Sequence, residues 1–365
     1  MKKNIKVAFI LPSLANRGPI IFTHYLVSQL VNMISFVKVY YFDDIVEIDF
    51  PCDTQRISFW EILDFSSYDI IHSTMFRPDL YVIKNRKEIS KNKCITICGL
   101  HNYIKEDMLF NYGFLKGKII STAWLYSLKY FDFHIYSSKN MEDYYKKNLK
   151  NLKGIIIPYG INRVNFINNI DLPFIDKILE FKKKQYKIIG SVGLLIRRKG
   201  FHQIITALVN LKKHALVLVG EGPEKENLIN LAKELNVSDR VIFTGFHEKS
   251  SQYYKYIDLY CLCSYSEGFG LAMIESLSVG IPLVCSRLPI YNDFFSDEHV
   301  GLFTPDDIKE LEKKIKFVTQ YSYQFQQYSN YLFNKHFNSH VMAVRHSNFY
   351  VTASGKSLPT KNNTK

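Results

Sequence analysis

The sequence has no pair of cysteines with the Cys-x-x-Cys spacing of zinc sites, although it contains six cysteines. Most of them lie inside apolar runs that predict buried strands, where cysteine behaves as a small hydrophobic residue. The missing motif therefore argues against a structural zinc ion. Because reduced thiols are typical of a reducing compartment, we expect the protein to be cytoplasmic.

The sequence also lacks any uninterrupted apolar run that approaches the roughly 20 residues of a membrane-spanning helix. The apolar stretch at the N-terminus, over residues 1–11, is too short for a signal peptide, and no small-residue cleavage site follows it. We therefore expect a protein that is soluble or that binds a membrane only at its surface.

Acidic residues are scarce relative to basic ones: 34 Asp and Glu stand against 47 Lys and Arg, which gives a net charge of +13. Such a balance fits nucleic acid, anionic lipid or phosphorylated substrates. The lysine clusters are short, however, and no zinc-finger spacing or RNA-binding aromatic signature accompanies them. We therefore expect phosphorylated or lipid partners and no nucleic acid.

The chain of 365 residues is too long for one ordinary core, and its composition, 47% hydrophobic, is that of a globular protein. Short apolar runs alternate with helical patterns in both halves, which predicts two doubly wound α/β domains that face each other across a cleft. A polar, Asn-rich and then charged segment separates the halves. The predicted segments are a first domain over 1–162, a linker over 163–186, a second domain over 187–335, a last helix over 336–350 and a disordered tail over 351–365.

Two positions in the first half lie just beyond predicted strands, at the edge where such sheets bind ligands. Gly18 is in the loop between the strand over 5–11 and a helix that begins near Pro19. A plain connecting turn is an equal alternative for this loop. His101 follows the strand over 94–99, and its position favours a functional role, whereas His72, inside a strand, is predicted to be structural.

The segment over 110–130 is rich in aromatic and aliphatic residues with interspersed lysines. At helical spacing, Leu115, Ile119, Trp124 and Leu128 form an apolar side. A helix that faces the core explains this pattern. An amphipathic patch that touches a membrane surface or a lipid-linked substrate is the alternative.

The stretch over 264–282, SYSEGFGLAMIESLSVGIP, is the most informative part of the chain. Its glycines allow the backbone to approach a ligand closely, and the helix start that follows favours an anion. The carboxylates of Glu267 and Glu275 suit the hydroxyl groups of a sugar. The stretch therefore fits a sugar-nucleotide pocket, and a glycine-rich turn with two solvated glutamates is an equal alternative until the flanking segments are considered.

With the segments GLLIRRKG, LVGEGP, RVIFTGF and SVGIPLVCS in order around this stretch, the chain resembles the family 4 retaining glycosyltransferases of the GT-B fold. The resemblance is strongest over 187–303. It is looser in the first half, through SLANRGP, GLHNY and IPYGIN, and it includes the last helix, which in the family crosses back to the first domain. It implies a donor sugar nucleotide, UDP- or GDP-linked, held mainly by the second domain, and an acceptor held mainly by the first.

The resemblance also implies roles for individual residues. Glu275 would accept hydrogen bonds from the ribose, and Glu267 would contact the donor sugar near the reacting carbon. Lys199 would stabilise the diphosphate leaving group, and His101 would line the donor-sugar site. Donor-binding residues implied in addition are Gly18, Arg197, Arg198, Gly268, Phe269, Gly270 and Leu271.

Two positions depart from the family pattern. Leu194 stands where the family usually has an arginine, five residues before Lys199, and Arg197 or Arg198 is the candidate replacement. A weakened diphosphate site is the alternative. Tyr159 stands where asparagine is common.

The implied reaction retains the anomeric configuration and needs no metal ion or other cofactor, and the sequence has no Asp-x-Asp motif. The implied acceptor is a lipid-linked saccharide or oligosaccharide in surface polysaccharide synthesis, at the cytoplasmic face of a membrane, with an anionic membrane surface as a further partner. The alternatives are a non-catalytic subunit that binds a nucleotide sugar, motivated by Leu194, and a nucleotide-sugar epimerase of the same fold.

Overall fold

A computed structural model describes residues 2–168 and 170–356, and this part of the chain divides into two compact units. The first unit contains the residues up to Ile161 and those from His336 onward, and the second contains Asn162–Lys335. The segment predicted as a linker over 163–186 is packed within the second unit. Its Val164 N–H donates to the hydroxyl of Ser278 at 3.1 Å.

The first unit is built on a parallel sheet in the spatial order β3-β2-β1-β4-β5-β6-β7. The strands are β1 (Lys3–Leu11), β2 (Ile34–Tyr41), β3 (Asp53–Arg56), β4 (Ile70–Thr74), β5 (Ile95–Leu100), β6 (Phe133–Tyr136) and β7 (Gly154–Ile156). The central strands are fully buried at most positions, as expected for a sheet covered on both faces. β3 has no apolar pattern that predicts a strand, because its four residues are exposed at the edge of the sheet.

Helices cover this sheet between its strands. They are α1 (Gly18–Leu30), α2 (Phe76–Lys84), α3 (Arg86–Lys91), α4 (Ile104–Leu128) and α5 (Lys139–Asn148). Pro19 occupies the first turn of α1, where its missing N–H is no loss. Ser138 caps α5, since its hydroxyl accepts from the Met141 N–H at 3.1 Å.

Helix α4 is bent into two arms at Gly113, whose φ of 73° is readily adopted by glycine. The arms approach closely at Gly117, where an added Cβ would lie 2.4 Å from the carbonyl oxygen of Met108. The helix expected to face the core is therefore bent, and two residues of its predicted apolar side, Leu115 and Ile119, are exposed.

The second unit contains a parallel sheet in the order β10-β9-β8-β11-β12-β13. Its strands are β8 (Lys187–Val192), β9 (His214–Val219), β10 (Val241–Gly245), β11 (Leu259–Leu262), β12 (Leu283–Ser286) and β13 (Gly301–Phe303). Its helices are α6 (Ile175–Lys183), α7 (Phe201–Ala207), α8 (Lys225–Glu234), α9 (Leu271–Ser278), α10 (Ile308–Gln320) and α11 (Ser322–Leu332). A short 3₁₀ helix spans Ser250–Tyr256 between β10 and β11.

The last helix, α12 (Ser339–Ala353), packs on the first unit. Lys3 Nζ donates to Ser347 Oγ at 2.7 Å, and the hydroxyl of Tyr350 lies 2.7 Å from His72 Nδ1. The helix continues past its predicted end at Tyr350 because Val351 is buried. The prediction of a disordered tail over 351–365 is therefore wrong up to Lys356, whose Nζ donates to Asp69 at 2.8 Å, and residues 357–365 lie outside the described part of the chain. None of the helices in the described part of the chain has the length and hydropathy required to cross a bilayer.

Candidate functional site

Two loops of the second unit lie side by side because they follow neighbouring parallel strands. Strands β8 and β11 pair directly, so the loops over 193–200 and 263–270 emerge at the same carboxyl edge of the sheet. This edge is the usual ligand-binding side of an open α/β sheet. Most of the residues predicted to bind the donor lie in these two loops or at the start of α9.

The two loops are tied together through their backbones. The Tyr265 N–H donates to the carbonyl of Arg198 at 2.9 Å, and the Arg198 guanidinium donates to the carbonyl of Ser266 at 2.8 Å. Gly200 has a φ of 64°, and an added Cβ would lie 2.2 Å from the carbonyl oxygen of Cys263. Close packing at Gly200 therefore fixes the position of Lys199 relative to the second loop.

Lys199 and Glu267 form an ion pair at the centre of this arrangement. Lys199 Nζ lies 2.7 Å from Glu267 Oε1, and only 5% of the Glu267 side chain is exposed. Ser264, also buried, donates its hydroxyl to the same oxygen at 2.5 Å. The structure thus brings together two of the three predicted catalytic residues and adds Ser264, which the sequence did not single out.

Glu275 lies on α9, which begins directly after the glycine loop. The Tyr254 hydroxyl is 3.0 Å from Glu275 Oε2. Burial raises the pKa of Glu275 to about 7, and the hydrogen bond from Tyr254 opposes that shift. A carboxyl that ionises near neutral pH can accept hydrogen bonds from sugar hydroxyls in its charged form.

The loop over Gly268–Leu271 is supported from below by an aromatic cluster. The Tyr291 hydroxyl donates to the carbonyl of Phe269 at 3.0 Å, and Phe269 is itself buried. Gly270 has a φ of 87°, and an added Cβ there would lie 2.9 Å from the same hydroxyl. These contacts fix the backbone that precedes α9.

The arginines proposed to compensate for Leu194 make other contacts. Arg198 binds the Ser266 carbonyl, and Arg197 lines a separate cavity of about 460 Å³ with His202 and residues of α8. Leu194 is 58% exposed. The replacement of the family arginine by either residue therefore stays a prediction.

In the first unit, Gly18 begins α1 and His101 follows β5, at the carboxyl edge of that sheet. His101 Nδ1 forms a hydrogen bond with the Tyr159 hydroxyl, and its ring packs edge-on against Phe22 with 4.9 Å between centroids. Burial lowers the pKa of His101 to about 3, with a smaller contribution from His346, so its imidazole is neutral.

Tyr159, which stands where the family pattern has asparagine, is therefore hydrogen-bonded to His101, a predicted site residue. His72 is buried and bonded to Tyr350, as expected for a structural histidine. Among the supporting residues, Ser264 is three positions from Glu267 and could have been considered, whereas Tyr254 and Tyr291 carry no sequence signal that links them to the loop.

Within residues 2–168 and 170–356, the structure contains no cluster of three or more His, Cys, Asp or Glu side chains arranged to hold a metal ion. The polar groups of the site are one ion pair, one hydroxyl-bound carboxyl and the backbone of a glycine loop. Such a set can bind a diphosphate and sugar hydroxyls through hydrogen bonds and charge.

Residues 174–331 match the family described as "Glycosyl transferases group 1". Over 357 residues the chain is 29% identical to an O-antigen biosynthesis glycosyltransferase, WclY, of Escherichia coli, and the alignment covers 95% of this chain and 98% of the relative. A shorter match, 35% identical over 143 residues, covers 38% of this chain and 39% of a Campylobacter jejuni protein. That protein is named N-acetylgalactosamine-N,N'-diacetylbacillosaminyl-diphospho-undecaprenol 4-alpha-N-acetylgalactosaminyltransferase.

Among solved structures, the chain is similar to a sucrose-phosphate synthase from Thermosynechococcus elongatus, with a TM-score of 0.76 at 19% identity. That match covers 97% of this chain and all of the other. HepE of Anabaena in complex with UDP matches with a TM-score of 0.74 at 14% identity, over 95% of this chain and 100% of HepE. At these identities the structural likeness establishes the fold.

Proposed function

We propose that this chain moves a sugar from a nucleotide diphosphate to an acceptor with retention of anomeric configuration. The matches support the coarser part of this proposal, a glycosyltransferase of the GT-B fold. The observation that carries the proposal is the Lys199–Glu267 pair, with Glu275 on the helix that follows the same loop. The proposed pathway is the synthesis of a surface polysaccharide.

Each of these side chains has a role that its chemistry fits. Lys199 stabilises the negative charge that builds on the departing diphosphate, an interaction that strengthens in the transition state. Glu267 accepts a hydrogen bond from a hydroxyl of the donor sugar, and Glu275 accepts from the ribose. Backbone N–H groups of Gly268–Leu271 lie near the phosphates or the sugar, and His101 of the first unit lines the sugar site.

In the proposed reaction the bond between the anomeric carbon and the phosphate oxygen breaks. A bond to the acceptor oxygen forms on the same face of the sugar. The acceptor hydroxyl gives its proton to the departing phosphate oxygen, so the step is balanced without a protein nucleophile. A double displacement would instead need a carboxylate nucleophile that faces a second carboxylic acid. We propose that no metal ion takes part.

A nucleotide-release assay tests this function. The purified chain is offered a panel of UDP- and GDP-linked sugars, with and without a bacterial lipid extract as acceptor, in the presence or absence of EDTA. We expect release of one nucleotide that depends on the acceptor and is insensitive to EDTA, and an NMR spectrum of the product that shows a retained anomeric configuration. An inverted product would contradict retention, and loss of release in EDTA would contradict the metal-free step.

A non-catalytic subunit that binds a nucleotide sugar is a second candidate, favoured by the exposed Leu194 where the family has an arginine. Binding of UDP or GDP without release from any sugar nucleotide would support it. Conversion of a sugar nucleotide into its epimer in the absence of an acceptor would instead indicate an epimerase.

We also propose that the acceptor is lipid-linked and that the chain binds an anionic membrane from its cytoplasmic side through the tip of α4. Phe110, Phe114 and Leu115 are 70%, 70% and 76% exposed around the bend at Gly113. The second arm adds exposed lysines at 116 and 118. Apolar tips flanked by cations bind anionic bilayers, and the cations add about 1 kcal/mol each near the surface.

Co-sedimentation with vesicles that contain phosphatidylglycerol tests this surface. We expect binding that weakens as salt rises, since exposed charges are screened, and that falls at least tenfold when both Phe114 and Leu115 are replaced by Ser. Tyr323→Ser, at a side chain that is 75% exposed on α11, is the matched control. Equal vesicle binding by both variants would show that the tip of α4 does not bind the membrane. Dimers detected without lipid would instead indicate that this surface binds a second copy of the chain.

A further inference from the structure

Tyr254 is a buried tyrosine whose hydroxyl faces two acceptors. It lies in the 3₁₀ helix before β11, with 2% of its surface exposed. Its oxygen is 2.7 Å from the carbonyl oxygen of Ala272, in the first turn of α9, and 3.0 Å from Glu275 Oε2. Tyr254 is thus the hydrogen-bond partner of the Glu275 carboxyl in the part of the chain that the structure describes.

A hydroxyl has one hydrogen, so it cannot donate fully to both acceptors. When Glu275 is protonated, its own O–H can donate to the Tyr254 oxygen while Tyr254 donates to the Ala272 carbonyl. When Glu275 is ionised, the carboxylate competes for the Tyr254 hydrogen, because hydrogen bonds to charged acceptors are stronger. The protonation state of Glu275 is thus coupled to the hydrogen bond at the start of α9.

We propose that Tyr254 is the positioning residue for Glu275: it holds the carboxylate in the orientation that receives the ribose hydroxyls and stabilises its ionised form. This inference rests on the proposed binding of a nucleotide sugar and assigns its ribose selectivity to one hydroxyl group. Tyr254 acts through Glu275 and is not placed in contact with the ligand.

The other ionisable groups near this pair leave the assignment intact. Tyr260, from β11, has its ring 6.0 Å from that of Tyr254, and burial raises its pKa far above neutral, so it is uncharged. The charge of Glu267 contributes to the raised pKa of Tyr260. The pKa of Glu275, in contrast, is raised by burial and lowered by the hydrogen bond from Tyr254. Within this cluster, Glu275 is the group whose pKa burial raises to about 7.

The test compares the affinities of UDP and GDP with those of their 2′-deoxy analogues by calorimetry, between pH 5.5 and 8.5. In the wild type we expect the preference for the ribonucleotide to rise through a midpoint near pH 7, where Glu275 ionises. In Tyr254→Phe we expect the preference at pH 7 to fall about tenfold, as for loss of a hydrogen bond to a charged group. The midpoint should move to higher pH, because the hydrogen bond that favours the carboxylate is gone.

Tyr253→Phe is the matched control, since this adjacent buried tyrosine donates to the carbonyl of Pro173 at 3.2 Å. It should keep both the preference and its midpoint. Equal loss of ribo- and deoxyribonucleotide binding in Tyr254→Phe would overturn the proposal, because a purely structural role affects both. An unchanged preference and midpoint would overturn it as well.

Two further measurements separate the possible failures. If the wild type binds neither nucleotide, the proposed function fails, and the carbon-13 NMR titration of the Glu275 carboxyl in the wild type and Tyr254→Phe still tests the coupling. If Tyr254→Phe does not fold, 3-fluorotyrosine at position 254 keeps the ring and strengthens the donor. It should lower the midpoint, and an unchanged midpoint would contradict the proposal.

Discussion

Lys199 Nζ is 2.7 Å from Glu267 Oε1, so the cation expected to bind the donor diphosphate is paired with the carboxylate expected to bind the donor sugar. Both side chains are largely buried, and Ser264 holds the carboxylate from the other side. The ion pair keeps two opposite charges in a weakly solvated site. A diphosphate that binds there must share Lys199 with Glu267.

Replacement of Lys199 by alanine should therefore affect stability as well as ligand binding. The change leaves the Glu267 carboxylate buried without its cation, and loss of one partner of a buried pair costs about 3–5 kcal/mol. We expect a fall in the free energy of unfolding by roughly this amount, measured by urea denaturation, together with loss of nucleotide binding.

Two variants serve as controls for this prediction. Lys184→Ala removes an exposed pair with Glu180 and should leave the free energy of unfolding nearly unchanged, because solvent screens exposed charges. Glu267→Met in the Lys199→Met background replaces both charges and should recover part of the stability while nucleotide binding stays lost. Full stability in Lys199→Ala alone would show that the pair is not structurally important.

The sequence predicted the sheets because their central strands are nearly continuous apolar runs, as in β1 and β9. The resemblance assigned Lys199 and Glu267 to the donor site, and the structure brings their loops to one edge because β8 and β11 are parallel neighbours. Strand β3 was not predicted, because its polar residues 53–56 have no apolar period. The sequence did not indicate the bend at Gly113, because the segment is rich in apolar residues on both sides of this glycine.

The supporting residues of the site were harder to predict. Tyr254 is remote from Glu275 in sequence and lies on a separate 3₁₀ helix, so no local pattern links the two residues. The contact between His101 and Tyr159 joins the ends of two different strands. Such pairs depend on the register and packing of the sheets, which a local pattern does not specify.

Tyr159→Phe should change turnover more than it changes binding. The hydroxyl of Tyr159 is bonded to His101 Nδ1, and its removal frees the imidazole to rotate. Because His101 is proposed to line the donor-sugar site, we expect kcat to fall about tenfold at similar KM, as for loss of one positioned hydrogen bond. Steady-state nucleotide release measures both constants.

Tyr136→Phe is the control, because the Tyr136 hydroxyl is buried without a hydrogen-bond partner and its ring lines the same small cavity as His101. Its removal should leave kcat unchanged and be neutral or slightly stabilising, since an unsatisfied buried polar group is lost. A similar fall of kcat in both variants would assign the effect to packing of the cavity and not to the hydrogen bond.

The buried carboxyl of Asp79 should make the free energy of unfolding fall as the pH rises. It is fully buried between β4 and α4, and burial raises its pKa from 3.8 to about 7, although Ser73 and Trp124 donate to it. Between these pH values the folded chain holds a proton that the unfolded chain has lost. The contribution of Asp79 is therefore fully present below its ordinary pKa and is lost as the pH rises through about 7.

Urea denaturation at pH 5 and pH 8 checks this prediction. Asp79→Asn keeps an acceptor oxygen for Trp124 and cannot ionise, so the loss of stability between the two pH values should shrink by a few kcal/mol. Asp143→Asn, at an exposed carboxylate paired with Lys139, should keep the wild-type difference. An unchanged difference in Asp79→Asn would contradict the raised pKa.

The buried histidines at the last helix, His72 beneath α12 and His346 on it, predict the opposite dependence in acid. Burial lowers the pKa of His346 to about 4 and that of His72 well below its ordinary value. Near pH 5 the unfolded chain therefore binds protons that the folded chain does not, and stability falls as the pH drops below about 6.5. Because Tyr350 joins His72 to α12, we expect this helix to lose hydrogen-exchange protection first.

His346→Gln should lessen the loss of stability measured between pH 7 and pH 5, whereas His340→Gln, at an exposed position, should not. Equal acid loss in wild type and His346→Gln would show that this histidine does not control it.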